Sequence, residues 1–329
     1  MRICFFVKTN DTEIFNKVEF YRNDLDILAN LGHTVDCCNQ ITSLLYKRYD
    51  LYFVWWFGYG VFPTFLSFLL GKKSIVIGNI HGLSGEGLSN WPFRKRILMK
   101  LCMKLASKSL FTSYTEFNRL ESFKPKNFSI LYNCVQHNKY FEDKKIERKK
   151  IILTISNLTK ENVKRKMLLE SLYAFSIFLK NNKDFIYIIC GKEGDGLPSI
   201  INQIEFLNIS HNVIIKGSVS VEKKINLLRT SLLYLQPTLS EGFGVAILEA
   251  QACGVPVITT FEPCINEVFS DSVVRASNIE NLSLNMDLLA NNDFLYDKYV
   301  KLGIKNSYKY SFQRRQKEIK SIIETLYLS

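Results

Sequence analysis

The sequence predicts an α/β protein with two domains, each built on a parallel sheet covered by helices. Short apolar runs rich in β-branched and aromatic residues alternate with longer helical stretches, as expected for consecutive βα units. The charged run EDKKIERKK, residues 142–150, interrupts this alternation near the middle of the chain and is typical of an interdomain linker. With 329 residues and 47% hydrophobic content, the chain can bury two cores of roughly 150 residues each.

Individual elements follow from local pattern and from turn residues. In the first half we expect a helix at 15–31 that Gly32 stops, together with strands at 3–7, 34–38, 74–80, 110–112 and 128–131. In the second half we expect strands at 151–155, 185–189, 213–215, 232–235 and 257–258, with helices between them and a last helix at about 312–326. Open sheets of this kind bind ligands beyond the carboxyl ends of their strands, where the glycine turns of this chain lie.

Residues 51–71 carry no charge and are long enough, by length alone, to cross a bilayer. Gly58, Gly60 and Pro63 divide them into a short aromatic strand at 51–56 and a short helix at 62–70. A buried βα unit explains the pattern, because strands covered on both faces are apolar throughout. The alternative is an exposed apolar patch that contacts lipid.

Positive charge dominates the chain, whose formal net charge of +12 favours an anionic partner. Residues 91–109, WPFRKRILMKLCMKLASKS, predict a helix with cations on one face and apolar residues on another. The cations are Arg94, Lys95, Arg96, Lys100, Lys104 and Lys108, and the apolar residues are Ile97, Leu98, Leu101 and Leu105. The pattern fits a helix on an anionic membrane and equally a surface helix packed on its own sheet, and the two are compatible. Nucleic acid is not indicated, because no zinc finger, RNA-binding sheet signature or helix-turn-helix is recognisable.

The most informative stretch is PTLSEGFGVAILEAQACGVPVITT, residues 237–260, in which Glu241 and Glu249 flank a glycine-bounded helix start. With the apolar run before it, the stretch predicts a strand, a loop, a helix at 245–253 closed by Gly254, and another strand. Backbone N–H groups at the helix start favour an anion such as a diphosphate. Carboxylates would repel phosphate, so the two acids suit sugar and ribose hydroxyls. An ordinary βαβ unit with solvated acids is the alternative, against which the Gly-Phe-Gly sequence and the flanking strands argue.

This stretch is similar to the signature of retaining glycosyltransferases of family 4, among the group 1 glycosyl transferases, which have the GT-B fold. Four further segments carry the resemblance: residues 189–196 with two glycine turns, residues 213–219 (VIIKGSV), Lys166 eight positions before Ala174, and YNCVQ at 132–136 with Phe141. The resemblance implies two Rossmann-like domains whose parallel sheets face a central cleft. It implies an acceptor-binding domain at 1–145, a nucleotide-sugar domain at 146–311, and a helix at 312–329 that returns to the N-terminal domain.

The resemblance also assigns roles to residues. Glu241 would hold the donor sugar, Glu249 the ribose, and Lys166 the diphosphate, with Lys164 or Arg165 as a source of a second cation. The alternative for these three basic residues is a solvated basic helix start, although cations there oppose the helix dipole and so indicate an anion nearby. The expected donor-binding residues are Asn157, Arg165, Lys166, Gly191, Gly217, Ser218, Val219, Glu241, Gly242, Phe243, Gly244 and Glu249; the expected catalytic residues are His81, Lys166 and Glu241.

The chain departs from the family pattern at two places. Asn157 stands where the family has an arginine, which removes one charge from the diphosphate site, and VKTND at 7–11 replaces a common glycine pair. His81 ends a predicted strand and, by resemblance, would position a hydroxyl or move a proton; a packed or capping histidine is the alternative. Asp24-Leu25-Asp26 resembles the metal-binding triplet of another glycosyltransferase fold. Positions two apart on a helix do not share a face, so we expect no essential metal and no cofactor.

The expected function is transfer of a hexosyl or related sugar from a nucleotide-diphosphate sugar to a glycan or lipid-linked acceptor, with retention of configuration. Such a reaction belongs to cell-surface polysaccharide or glycolipid biosynthesis, and the expected partners include an anionic membrane surface. Eight cysteines at irregular positions and no secretory leader predict reduced thiols in a cytoplasmic protein, peripheral on the inner face of the plasma membrane. The alternatives are a non-catalytic GT-B partner of another glycosyltransferase and an epimerase that acts on the nucleotide sugar itself.

Overall fold

The computed structural model describes residues 1–44, 47–78, 92–120 and 123–328. These residues form two compact units. The first contains the chain up to Cys134 together with the segment from Tyr310 onward, and the second is Val135–Lys309. The last helix therefore belongs to the same compact unit as the N-terminal part of the chain.

The first unit is built on a six-stranded sheet in which all neighbouring strands are parallel. Its strands are β1 (Arg2–Phe6), β2 (Thr34–Cys38), β3 (Leu51–Trp55), β4 (Lys73–Gly78), β5 (Lys108–Phe111) and β6 (Phe128–Ile130), in the spatial order β2-β1-β3-β4-β5-β6. Alternate side chains of each strand enter two different cores. Cys4 and Phe6 lie in one core, whereas Ile3 and Phe5 lie in the other, as the period of two in a strand requires.

Helices cover both faces of this sheet. They are α1 (Ile14–Lys17), α2 (Glu19–Asn30), α3 (Val61–Leu69), α4 (Phe93–Leu105), α5 (Tyr114–Asn118) and the last helix of the chain, α14 (Phe312–Leu328). The single helix predicted at 15–31 is wrong in one respect, because the extended backbone at Val18 divides it in two. Ile319 and Ile323 of α14 enter the same core as Ile27 of α2, so the last helix contributes to folding of the first unit.

Residues 51–71 form a strand and a helix, as their glycines predict. Strand β3 is buried along its whole length, but the expectation that the helix is buried too is wrong for the outer face of α3. Phe62, Phe65, Phe68 and Leu69 of this helix are exposed. In the described part of the chain, no helix combines the length and the apolar character needed to cross a membrane.

The basic helix is shorter and less segregated than its sequence predicts. Helix α4 ends at Leu105, and Lys108 begins strand β5 instead of continuing the helix. The buried side chains are Met99, Cys102 and Met103, whereas Ile97 and Leu101 are exposed. The prediction that apolar residues and cations occupy different faces is therefore wrong: the outer face of α4 carries both kinds.

Asp24 lies in α2 and is fully buried, where its carboxylate forms an ion pair with Arg315 of α14. The Nε and Nη2 atoms of Arg315 lie 2.6 and 3.0 Å from the two carboxylate oxygens, and Nη1 donates to the carbonyl oxygens of Leu131 and Tyr132. Arg315 is thus a structural partner of Asp24, which explains the first acid of the Asp24-Leu25-Asp26 triplet without a ligand.

The second unit contains another six-stranded parallel sheet. Its strands are β7 (Lys149–Ile155), β8 (Ile186–Cys190), β9 (Val213–Ile215), β10 (Ser231–Leu235), β11 (Val257–Thr260) and β12 (Val274–Ala276), in the spatial order β12-β11-β10-β7-β8-β9. Its helices are α6 (Lys160–Arg165), α7 (Leu168–Phe178), α8 (Leu197–Phe206), α9 (Val221–Thr230), α10 (Val245–Ala252), α11 (Pro263–Phe269), α12 (Ile279–Asn291) and α13 (Asp293–Lys309). The sequence did not predict β12. This edge strand has three residues, only one of which is buried, so it carries little apolar signal.

All eight cysteines are free thiols in the described structure. Cys37 is exposed and Cys38 is buried, which agrees with the prediction that one strand directs the adjacent pair to opposite faces. Packing therefore explains Cys38, whereas Cys37 lies at the surface.

Candidate functional site

The candidate site is built on the segment after strand β10. The strand ends at Leu235, a loop follows, helix α10 begins at Val245, and β11 comes next, so the predicted order of elements is confirmed. Gly244 caps the helix with a φ of 88°, and a Cβ atom there would lie 2.8 Å from the ring of Phe269. Glycine is therefore needed at this position. Phe243 is buried with its ring 6.4 Å from that of Phe269, so its side chain belongs to the core.

Two cations meet the carboxylate of Glu241. The Nη1 atom of Arg165 donates to a Glu241 carboxylate oxygen at 3.1 Å and to the carbonyl of Ser240 at 2.8 Å. The Nζ atom of Lys166 lies 3.9 Å from the same carboxylate oxygen. The side chains of Arg165 and Lys166 are each 11% exposed and that of Glu241 is 13% exposed. Arg165 and Lys166 thus place two cations beside this carboxylate, and both would attract a bound anion.

The alternative of a solvated basic helix start is wrong, because Lys166 follows the last residue of α6 and the side chains of Arg165 and Lys166 are largely buried. Lys164 and Arg165 lie in the last turn of α6, where cations interact favourably with the helix dipole. Met167 then adopts a left-handed conformation, with φ 47° and ψ 46°, before α7 begins. Burial lowers the pKa of Lys166 below its ordinary range, and the carboxylate of Glu241 partly opposes this shift. An anion bound here would stabilise the charged form of Lys166.

Glu249 lies on α10 and is 3% exposed. Its carboxylate accepts a 2.7 Å hydrogen bond from the Nζ atom of Lys224, which belongs to α9. That ammonium also lies 5.1 Å from the centre of the Tyr140 ring, within range of a cation–π interaction. Carboxylate oxygens accept several hydrogen bonds, so this group can also accept from hydroxyl groups of a ligand.

Tyr234 and Gln236 are polar residues of this region that the sequence did not single out. Tyr234 is fully buried, its hydroxyl donates to the side-chain oxygen of Gln236 at 2.8 Å, and burial together with the charges of Glu249 and Glu241 raises its pKa. The sequence does not indicate a role for Tyr234 in the site, because a tyrosine inside a strand is ordinarily a core residue. Lys224 was missed for a similar reason, since lysines on a surface helix are usually solvated.

The glycine turns come together at the ends of β7, β8 and β9. The backbone N–H of Gly191 donates to the carbonyl of Gly217 at 2.9 Å, and a Cβ atom at Gly191 would lie 1.8 Å from the carbonyl oxygen of Ser156. The side-chain oxygen of Asn157 accepts from the backbone N–H of Lys192 at 3.2 Å. The Asn157 side chain therefore stabilises the turn through this hydrogen bond. Ser218, beside Gly217, is exposed.

Three buried polar atoms of this region have no hydrogen-bond partner within the described part of the chain. They are Nε of Arg165, Nε2 of Gln236 and Oγ of Ser240. Buried polar groups are normally satisfied, so their concentration in one loop and its neighbour is typical of a site that receives a polar ligand.

Two other predictions concern residues and ligands away from this loop. His81 lies outside the described residues. Among the described residues, no group of three or more His, Cys, Asp and Glu side chains is placed to hold a metal ion.

Comparison with known proteins identifies the family. Residues 136–308 match the family model for glycosyl transferases group 1, and this match covers more than half of the chain. The chain therefore belongs to that family. It is 27% identical to sucrose synthase 2 of Oryza sativa over 183 residues, which cover 51% of this chain and 22% of that protein. It is 23% identical to the O-antigen chain mannosyltransferase RfbU of Salmonella typhimurium over 188 residues, which cover 54% of this chain and 49% of that protein. The chain thus matches half or less of the length of these curated relatives.

Solved structures agree on the fold. The crystal structure of HepE from Anabaena in complex with UDP and glucose has a TM-score of 0.81, with 14% identity over 99% of this chain and 100% of that one. Sucrose-phosphate synthase from Thermosynechococcus elongatus has a TM-score of 0.77, with 11% identity over 99% of both chains. The predicted GT-B fold class, with two parallel α/β domains, is confirmed.

Proposed function

We propose that this protein transfers a hexosyl or related sugar from a nucleoside diphosphate sugar to a glycan or lipid-linked acceptor, with retention of configuration. The observation that carries the proposal is the largely buried group of Arg165, Lys166 and Glu241 beside the start of α10. Family membership supports sugar transfer, and the UDP named in the HepE structure supports a nucleoside diphosphate donor. The name of RfbU supports a place in cell-surface polysaccharide or glycolipid biosynthesis.

The proposed roles follow the charges of the site. Lys166 and Arg165 would bind the diphosphate, whose negative charge grows as the glycosidic bond breaks and must be stabilised. Glu241 would accept hydrogen bonds from the donor sugar, with the backbone of Gly242, Phe243 and Gly244 beside it. Glu249, whose carboxylate also accepts from Lys224, would bind the ribose hydroxyls.

The base of the nucleotide is proposed to lie near Gly217, Ser218 and Val219, with Gly191 and Asn157 forming the wall of that turn. The side-chain oxygen of Asn157 accepts from the backbone N–H of Lys192. Arg165 would therefore supply the positive charge of the arginine that the family has in place of Asn157. Its buried Nε atom, which has no partner in the described residues, supports this assignment. His81 stays a proposed catalytic residue.

A substitution of Glu241 tests the proposal. We expect Glu241→Ala to reduce transfer by at least about 100-fold, as removal of one directed hydrogen-bonding group at a reacting centre typically does. Glu241→Gln keeps the shape of the side chain but removes its charge, and we expect a similar loss of activity, which would show that the carboxylate charge is required and not only the size of the side chain. Glu205→Ala, at an exposed position on α8, is the control. Full activity of Glu241→Ala with a panel of nucleotide sugars would exclude the assigned role.

Donor binding can be tested without an acceptor. A nucleoside diphosphate that binds only the folded protein must raise the melting temperature. If no nucleotide sugar is turned over and no nucleoside diphosphate changes the melting temperature, the transfer proposal fails. That result would favour a non-catalytic GT-B subunit that stabilises another glycosyltransferase. The replacement of the family arginine by Asn157 is the feature that fits such a subunit.

We propose no essential metal or cofactor, so activity should persist in the presence of a chelator.

We further propose a peripheral association with an anionic membrane surface, on the inner face of the plasma membrane. The cations that would take part are Arg94, Lys95, Arg96, Lys100 and Lys104 of α4, of which all but Arg96 are exposed. A polybasic surface of this kind is attracted to anionic headgroups, which supports an acceptor carried by the membrane.

A further inference from the structure

Helix α3 buries two hydroxyl side chains together with Val61 and turns several large apolar side chains outward. Thr64 and Ser67 are fully buried, whereas Phe65 and Phe68 are 48% and 60% exposed. The buried hydroxyls are satisfied, since Thr64 donates to the carbonyl of Gly60 at 2.6 Å and Ser67 donates to that of Thr64 at 2.7 Å. Burial of these hydroxyls therefore leaves neither donor unsatisfied, and the phenylalanine side chains remain exposed to a partner.

Helix α4 extends the same surface. The two helices pack together, with the Thr64 hydroxyl 3.7 Å from the Cys102 sulfur. Phe93, Ile97 and Leu101 are spaced four residues apart on α4 and are all exposed. The aromatic face is the set of exposed residues on both helices: Phe62, Phe65, Phe68, Leu69, Phe93, Ile97 and Leu101. Exposed apolar residues concentrated in this way mark an interaction surface.

The positive charge near the aromatic face favours an anionic partner. Between Asp50 and Glu116 the sequence contains eight lysines and arginines and a single acid, Glu86. Lys100 and Lys104 lie on the same outer face of α4 as Ile97 and Leu101. Two copies of this protein meeting through such a surface would bring like charges together, which opposes self-association. An anionic bilayer offers both an apolar interior for the rings and negative headgroups for the cations.

We propose that the aromatic face inserts into the headgroup boundary of an anionic bilayer, with α3 as the inserting element and the cations of α4 in contact with the headgroups. This inference rests on the proposed membrane partner but not on sugar transfer, so vesicle binding and transferase assays can fail independently. It also goes beyond attraction by charge, because it requires apolar contact that persists when salt screens the cations.

Vesicle flotation tests the insertion. We expect the full chain to bind vesicles of phosphatidylcholine with about one-third phosphatidylglycerol and to bind phosphatidylcholine vesicles weakly. Phe65→Ser/Phe68→Ser should weaken binding to the anionic vesicles by roughly 10-fold or more, because two rings leave the apolar boundary. Phe206→Ser/Phe294→Ser is the matched control, since these rings are 81% and 83% exposed in the other unit, and its binding should equal that of the unchanged protein.

A salt series and the state of association separate the outcomes. Residual binding at high salt that disappears in Phe65→Ser/Phe68→Ser would support insertion. No binding of the unchanged protein, or binding that salt abolishes and the two serines leave intact, would overturn it. A dimer of the unchanged protein that becomes a monomer in Phe65→Ser/Phe68→Ser would also overturn it, because the partner would then be a second copy. An unchanged melting temperature of the variant shows that it is folded.

Discussion

The Nζ atom of Lys224 donates a 2.7 Å hydrogen bond to the carboxylate of Glu249, and both side chains are largely buried. One residue lies on α9, just after the turn at Gly217, and the other on α10 after the loop that contains Glu241. The pair thus connects the two segments to which the base and the ribose of a donor are assigned.

We predict that Lys224→Met lowers the free energy of unfolding by roughly 2–4 kcal/mol, because it leaves a buried carboxylate without its cation. Lys224→Met/Glu249→Gln should be more stable than Lys224→Met, since no uncompensated charge remains. Urea denaturation measures both effects. Lys223→Met, at the exposed neighbouring position, is the control and should change stability by less than about 0.5 kcal/mol. A loss of stability equal in Lys223→Met and Lys224→Met would contradict the prediction.

The affinity for a nucleoside diphosphate should fall as pH rises in the alkaline range. Burial lowers the pKa of Lys166 in the free protein, and a bound diphosphate favours the charged form, so binding above the lowered pKa requires uptake of a proton. Without ligand, the contribution of Lys166 to the free energy of unfolding changes with pH in the opposite direction. A lysine with a lowered folded pKa costs stability while charged, and that cost is relieved as pH rises through the folded pKa.

Calorimetry in two buffers with different ionisation enthalpies measures this proton uptake. Lys166→Met should bind more weakly and without uptake of a proton at that residue. An affinity that is constant with pH up to the ordinary range of lysine would show that Lys166 does not meet the diphosphate.

Removal of Arg315 should destabilise the first unit severely. Arg315→Met leaves Asp24 buried without its cation, and we predict a loss of about 3–5 kcal/mol in the free energy of unfolding. Asp24→Leu/Arg315→Met should recover much of that stability. Arg314→Met is the matched control, because Arg314 pairs with Glu318 at the surface, where an ion pair contributes about 1 kcal/mol or less. If Arg314→Met and Arg315→Met unfold at the same urea concentration, the buried ion pair does not stabilise the packing of the last helix.

Gly191 and Gly217, in the turns that follow β8 and β9, should respond differently to substitution by alanine. Gly191→Ala places a Cβ atom 1.8 Å from the carbonyl oxygen of Ser156, so we expect a loss of more than about 4 kcal/mol or failure to fold. Gly217→Ala meets only the Glu193 carboxylate, at 3.6 Å, and its cost is the left-handed φ of 57°, about 1–2 kcal/mol. Equal denaturation midpoints for the two variants would show that the close approach at Gly191 is relieved by a small shift of the backbone.

Apolar periodicity and glycine placement predicted most strands and the helix that follows Glu241. Where the prediction failed, local sequence was ambiguous. The helix predicted at 15–31 breaks at Val18, where no glycine or proline marks the break, and β12 has too few buried residues to be recognised. The basic residues Lys164 to Lys166 lie at the end of α6, which the sequence does not indicate, because nothing in it distinguishes the end of a short helix from the beginning of the next.

The sequence alone determined the two α/β domains, the order of elements around 237–260 and the positions of Glu241 and Glu249. These follow from the periodicity of neighbouring residues, which each segment carries by itself. Only the tertiary structure decided which charges meet. Arg315 and Asp24 are 291 positions apart, and Arg165 and Glu241 are 76 positions apart. It also decided that α3 turns its phenylalanines outward and buries Thr64 and Ser67, because the face that a helix buries depends on the elements packed against it.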